Sequence, residues 1–196
     1  MAKSLNHYID FHAHHPSLNG ERVIQDGIDT RGRHPWHLAS DPPHYEGGRE
    51  GAIALGESGL DRLCDTPYDL QLQVFREEVS LSEQLQKPLF LHCVRAIDDV
   101  LRIRKELNAN QPIIWHGYRG GARQIQQLPL FYFSFGIHFN TEALQTCPLD
   151  RLLLETDDDT HHLISDLYAQ VAQLRSIPLD SLIRQMHENF RMLFVR

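Results

Sequence analysis

Cysteine is scarce in this chain: Cys64, Cys93 and Cys147 form no C-x-x-C pair. An odd, dispersed set excludes a disulfide framework and a cysteine-built zinc knuckle, and it fits a reducing, cytoplasmic setting. Long apolar runs are missing too. No stretch approaches the roughly 18 residues needed to span a bilayer, and the N-terminus lacks the apolar core of a signal peptide. The expectation is a cytoplasmic protein with no membrane partner and no obligate protein partner. Positive charge is in deficit, with 19 Lys and Arg against 26 Asp and Glu and a net charge of −7. That balance excludes broad gripping of duplex nucleic acid, which needs a basic face. It leaves room for an enzyme that engages one phosphate through metal and a few arginines. No G-x-G-x-x-G follows the first apolar run, which weakens the case for a dinucleotide-binding sheet. Repeats, low-complexity tracts and flexible linkers are absent as well. A length of 196 residues with 41% hydrophobic content therefore reads as a single domain, 1–196, around one core.

Histidine, by contrast, is plentiful, at 13 residues. His12 and His14 stand two apart at the end of a short apolar run, Tyr8 to Phe11. On a strand, residues i and i+2 point to the same face, so both imidazoles converge on one point, and neutral imidazole is the commonest side-chain metal ligand. A weak strand follows over Glu21 to Ile28, leading through Gly32 to His34-Pro35-Trp36-His37, and a Pro/Gly-marked loop runs from Asp41 to Gly51. Ala52 to Gly56 is an apolar run ended by Glu57. Tyr68 to Gln86 carries a helical face closed by Pro88. The same grammar then repeats: a strand Pro88 to Leu91 ended by His92, a helix over Ile97 to Leu107, and a strand Pro112 to Trp115 ended by His116. Gly120-Gly121 opens a short helix, Phe131 to Phe135 forms a strand, and Leu152 to Thr156 is ended by Asp157. Helical patterns cover His162 to Leu174 and Leu179 to Leu193, with Pro178 between them.

Alternating buried strands and helices call for parallel βαβ units, so the expected fold is α/β, a TIM-type (β/α) barrel. The apolar runs number seven, ending near Phe11, Gly32, Gly56, Leu91, Trp115, Gly136 and Thr156. The roughly 20 residues between His14 and His34 are too few for a βαβ unit of about 30, so a distorted barrel of seven strands instead of eight is expected. His12, His14, Glu57, His92, His116 and Asp157 all fall at the C-terminal ends of strands, where parallel α/β folds build their sites. Singly, Glu57 reads as a cap, His92 as a satisfied core histidine and Asp157 as a helix N-cap. Six nitrogen and oxygen donors at one edge carry the argument together. They are too many for one tetrahedral zinc with an open position and suit two divalent ions sharing a carboxylate, the clamp used for in-line phosphoryl displacement.

With those motifs in view, the chain resembles the TatD-type metal-dependent deoxyribonucleases, members of the amidohydrolase-like barrel enzymes. The likeness rests on His12-Ala13-His14, Gly32-Arg33-His34-Pro35-Trp36-His37, Gly56-Glu57-Ser58-Gly59-Leu60-Asp61, Leu91-His92, His116-Gly117-Tyr118-Arg119-Gly120-Gly121, Glu155-Thr156-Asp157 and the closing Asn189-Phe190-Arg191-Met192-Leu193-Phe194. The resemblance implies one or two divalent ions (Zn, Mn or Mg), with His12 and His14 on the first, Glu57 bridging, and His92 and His116 on the second. It also implies Asp157 as a ligand that takes the proton of the attacking water, so that Asp157 and Glu57 are the catalytic pair. Arg95 and Arg119 are candidates for a substrate phosphate. Cys93 reads as a small buried residue, and His15, His34 and His37 as supporting or solvent-facing groups. The implied substrate is nucleic acid ends or a small phosphoester. Alternatives are a metallohydrolase of a small amide, lactone or phosphoester, and a non-catalytic metal-binding barrel. Two departures from the family pattern stand out: a shortened stretch between His14 and His34, and Asp158-Asp159 after Asp157, which add negative charge beside the site.

Overall fold

The computed structural model describes residues 8–38 and 51–195. The loop expected from Asp41 to Gly51 lies outside the described residues apart from its last position. Backbone packing divides the chain into two compact units, Met1–Gln25 with His116–Arg196, and Asp26–Trp115.

The first unit is built on four parallel strands, β1 (Ile9–Ala13), β2 (Arg22–Gln25), β7 (Phe131–Phe135) and β8 (Leu152–Leu154). β1 pairs with β2 in parallel, β7 with β8, and an isolated parallel bridge joins Ala13 to Asp157 just beyond β8. All five residues of β1 are buried, as parallel strands covered on both faces require. Helices α3 (Ala122–Gln127), α4 (Thr141–Thr146), α5 (Ile164–Leu174) and α6 (Leu179–Phe194) complete the unit. α6 buries Leu182, Met186, Asn189, Phe190 and Leu193, one stripe at helical spacing. Asn189 is the polar member of that stripe, and its Nδ2 donates to the carbonyls of Leu149 and Leu152, each at 2.8 Å. Asn189 of the closing Asn189-Phe190-Arg191 segment thus ties the last helix to the start of β8.

In the second unit, β3 (Thr30–Arg31), β4 (Ala54–Asp61), β5 (Leu89–Val94) and β6 (Ile113–Trp115) lie side by side in that order, all parallel. Helix α1 (Tyr68–Leu85) follows β4 and α2 (Ile97–Glu106) follows β5, giving two βαβ crossovers. α1 buries Gln71, Val74, Phe75, Glu78, Val79 and Ser82 along one face. It ends at Gln86 in the left-handed conformation, φ 53°, two residues before Pro88.

Helices and strands appear close to the expected places, with three corrections. Eight strands, not seven, occur among the described residues, because the weak strand expected before Gly32 is broken into β2 and β3. Asp26-Gly27 interrupts it, with Gly27 at φ 75°, and a bridge from Asp26 to Thr30 takes the place of a continuous strand. Glu57 and His92 do not end their strands: β4 runs on to Asp61 and β5 to Val94. The six-residue α4 was not anticipated, being too short to show a helical period.

Candidate metal centre

In the first unit the backbone itself gathers the donors. The His14 amide donates to the Asp157 carbonyl at 3.1 Å, and the Asp157 amide to the His12 carbonyl at 2.9 Å. This bridge sets Asp157 between two imidazoles that the alternation of β1 already turns the same way. His12 Nε2 lies 3.9 Å and His14 Nε2 3.5 Å from Asp157 Oδ1, and the two rings meet edge to face with centroids 5.1 Å apart. Asp157 holds φ at 59°, a left-handed conformation uncommon outside glycine and tolerated by aspartate, of the kind found at functional sites. His116 brings its ring to 4.6 Å from that of His12, with Nδ1 3.9 Å from Glu155 Oε1. Donor atoms of His12, His14 and Asp157 lie within 4.8 Å of one another, as do those of His116, Glu155 and Asp157. Burial pushes the Glu155 carboxyl up, partly offset by His116 and His12.

A support layer lies beneath. Asp10, fully buried, accepts from the Thr156 amide at 3.0 Å and from the Thr156 hydroxyl at 2.5 Å. Burial raises the Asp10 carboxyl to about 7 even against those bonds. His15 turns its Nε2 to the Thr156 hydroxyl at 3.1 Å, a supporting place and not a ligand's. Asp157 and Glu155 line a cleft of about 490 Å³ whose walls also include Arg119, His138, Asp158 and Asp159. Asp159 is occupied by its own turn: it accepts from the His161 amide at 2.7 Å and meets His162 Nδ1 at 2.7 Å, which holds its carboxyl below the usual range although burial opposes this. Of the two extra acidic residues, Asp158 alone is exposed.

In the second unit the G-E-x-G-L-D motif acquires a physical meaning. Leu55 pairs with Leu89 but Ser58 with Leu91, so β4 carries one residue more than β5 across Gly56-Glu57. A bulge of this kind re-aims a side chain, here Glu57. Gly56, at φ 118°, packs where a Cβ would come within 2.6 Å of the Phe90 carbonyl oxygen, and at Gly59 a Cβ would meet the His92 carbonyl oxygen at 1.8 Å. Both glycines let β4 lie against the strand that carries His92. His92 Nδ1 then sits 3.2 Å from Glu57 Oε1 and its Nε2 3.1 Å from Asp61 Oδ2. Asp61 is fixed in turn by Gln71, whose amide bonds both to the backbone N–H of Asp61 at 2.7 Å and to its carbonyl at 3.0 Å. Burial acts to raise the Asp61 carboxyl, but the Trp36 indole, the Leu63 amide and His92 outweigh it and hold it low.

Arg33 anchors the segment before Trp36 to α1, bonding buried Glu78 at 2.8 Å and Glu77 at 2.7 Å. His34 Nε2 consequently stands 3.2 Å from Glu57 Oε1, and the donor atoms of His34, Glu57 and His92 lie within 4.8 Å of one another. The Trp36 amide donates to His34 Nδ1 at 3.2 Å. In a neutral ring that places the proton on Nε2, so His34 donates to Glu57 and orients it. Asp61 plays the matching part for His92, a carboxylate behind a histidine, as metal-binding imidazoles usually have.

The six expected ligands therefore fall into two groups, His12, His14, His116 and Asp157 in one unit and Glu57 and His92 in the other. Arg119 lines the cleft beside Asp157; Arg95 is exposed directly after β5. Burial raises the Cys93 thiol to about 12, keeping it protonated and a poor ligand. Glu155 and Asp61 were quoted only as parts of motifs, and their roles were missed. Their signal lay in spacing, two residues before Asp157 and four after Glu57.

Parallel α/β units bearing nitrogen and oxygen donors clustered on and just past their strands, in groups that could hold a metal ion, fit the TIM-type α/β class. Solved structures similar to this chain have that fold, among them a TatD family hydrolase from Entamoeba histolytica, with a TM-score of 0.71, 18% identity and coverage of 91% of this chain and 76% of that one, and the YJJV TatD homologue of Escherichia coli, with a TM-score of 0.64, 24% identity and coverage of 74% and 64%. The model of the TatD related DNase family matches residues 28–195. Among curated relatives, the metal-dependent hydrolase YcfH of Escherichia coli is 30% identical over 92% of this chain and 78% of its own length, and YabD of Bacillus subtilis is 31% identical over 74% and 66%. The human 3'-5' RNA nuclease TATDN2 is 33% identical over 54% of this chain and 16% of its own length. The chain belongs to the TatD related DNase family. It spans about two thirds or less of the length of several of these relatives.

Proposed function

We propose that the chain is a divalent-metal-dependent hydrolase of phosphodiester bonds in nucleic acid, acting at strand ends. The observation that carries this reading is the His12, His14 and Asp157 group, with His116 and Glu155 beside it; Asp157 and Glu155 also line a cleft that presents Arg119. The donors fit a divalent ion: all are nitrogen or oxygen, they are clustered, and the flanking backbone is bonded in place. His12, His14 and Asp157 are the residues that would hold an ion there, and Glu57 with His92 offers a second donor set. Zinc or manganese suits such imidazole-rich sets, and magnesium suits the carboxylates. When bound, a divalent ion polarises a phosphoryl oxygen and acidifies water near neutral pH.

The chain's own groups do the rest. Asp157, half exposed toward the cleft, takes the proton of the attacking water on its carboxylate. Arg119 holds a phosphate oxygen by a charge-assisted hydrogen bond. The names of two relatives, an RNA nuclease and the deoxyribonuclease Tat-D of Schizosaccharomyces pombe, support nucleic acid as the substrate class. A second reading, hydrolysis of a small phosphoester, amide or lactone, draws on the net charge of −7 and on Asp158 at the cleft, which repel a long polyanion. The test is one metal-loaded preparation offered single-stranded DNA, single-stranded RNA and a panel of small esters and lactones. Release of nucleotides with slow turnover of the panel is expected; the reverse order would overturn the nucleic-acid reading.

A further inference from the structure

We propose that Trp36 is the platform on which an unpaired nucleobase of the substrate stacks. The identity of the ligand rests on the nuclease reading above. Trp36 is 56% exposed, and a lone exposed apolar side chain is ordinary. What distinguishes this one is how it is held. Its Nε1–H donates to Asp61 Oδ2 at 2.7 Å, and Asp61 is itself buried and locked by Gln71. The ring meets His34 and His92 edge to face, with centroids 4.9 Å and 5.4 Å away. Its backbone lies in a single 3-10 turn, Pro35–His37, started by a proline and by the His34 side chain. A large aromatic ring is thus pinned by its polar edge beside the Glu57–His92 donors, while more than half of its surface remains open.

Stacking is the contact such a ring offers. Every base has a π-face, so an aromatic platform binds bases without regard to sequence, provided they are out of the duplex. The chain's charge makes this contact matter more. With a net charge of −7 it has little of the phosphate-driven affinity that basic proteins gain by releasing counterions. A neutral stack beside the donors supplies affinity that does not depend on salt. A substrate lacking a base gains nothing from Trp36, which sets nucleic acid apart from small esters.

The chain has two tryptophans, and Trp115 is buried out of reach of a stacking base, so the part of the emission quenched by contact with a bound strand reports on Trp36. The experiment is fluorescence titration of metal-loaded protein with a hydrolysis-resistant phosphorothioate single strand, beside the same strand made abasic at its ends. Metal content is measured for every variant. Expected results are quenching on binding, loss of the quench in Trp36→Phe with affinity kept within a few-fold, and roughly tenfold to hundredfold weaker binding for Trp36→Ala. The abasic strand should show the same weakening with unaltered protein, an arm that needs no variant to fold. No quench, or equal affinity for intact and abasic strands, would overturn the proposal. Quenching without hydrolysis of the ordinary strand would keep the platform and remove the nuclease reading; hydrolysis indifferent to Trp36 would do the opposite.

Discussion

The proposed mechanism gives Asp157 two duties at once, since its Oδ1 faces His12 and His14 while the residue lines the cleft. Asparagine keeps the shape and one ligating oxygen but cannot accept a proton. Asp157→Asn should therefore lower turnover by about 10²–10⁴ with the melting temperature nearly unchanged, read as hydrolysis rate beside metal content and thermal melt. Equal rates at equal metal loading would remove Asp157 as the base. Asp61 tests the supporting layer. It touches His92 and Trp36, so Asp61→Asn should weaken metal binding about 10- to 100-fold, measured by competition with a chromogenic chelator. Unchanged affinity would mean that His92 does not depend on its carboxylate. At this scale the sequence was most legible where periodicity applies. His12 and His14 follow from the two-residue repeat of a strand. The orienting task of His34 was only partly legible, because it depends on which ring nitrogen the Trp36 amide occupies, a contact that no spacing rule contains.

Among the elements, β4 is the most constrained. It combines a bulge at Gly56-Glu57 with two glycines that admit β5, and it continues through Gly59-Leu60-Asp61. Polar and glycine residues in that continuation look like a loop, which explains why the strand was expected to stop at Gly56. All eight residues of β4 are nonetheless buried, Glu57 and Asp61 being satisfied by histidines and indole in place of water. Gly59→Ala should destabilise the protein by about 1–3 kcal/mol or more, the cost of overpacking, since the methyl group meets backbone that cannot move aside. Urea denaturation would show it, and an unchanged midpoint would contradict the close approach of β4 to His92. Helices α1, α2, α5 and α6 were legible because each buries one stripe at helical spacing. The split of the second strand into β2 and β3 was not: Asp26-Gly27 is a turn signal in a stretch whose alternation is weak on either side.

For the whole molecule, the donor groups make metal the organising requirement of the proposed function. No helix among the described residues is long and apolar enough to cross a membrane, and with a net charge of −7 metal, Arg119 and stacking are the proposed means of holding a polyanion. Ligands that bind only the folded state stabilise it, by about 2.7 kcal/mol at a hundredfold excess over the dissociation constant. Removing the metal should therefore lower the melting temperature and restoring it should reverse the change, a shift independent of any substrate. The most direct measurement of the central claim joins the two readouts: elemental analysis and hydrolysis of end-labelled single-stranded DNA by the same preparation, before chelation, after it, and after stepwise return of zinc, manganese or magnesium. The account predicts that activity vanishes with the metal and returns in proportion to ions regained, up to one or two per chain. Undiminished hydrolysis by the stripped protein, or fully loaded protein that cleaves no phosphodiester, would contradict it.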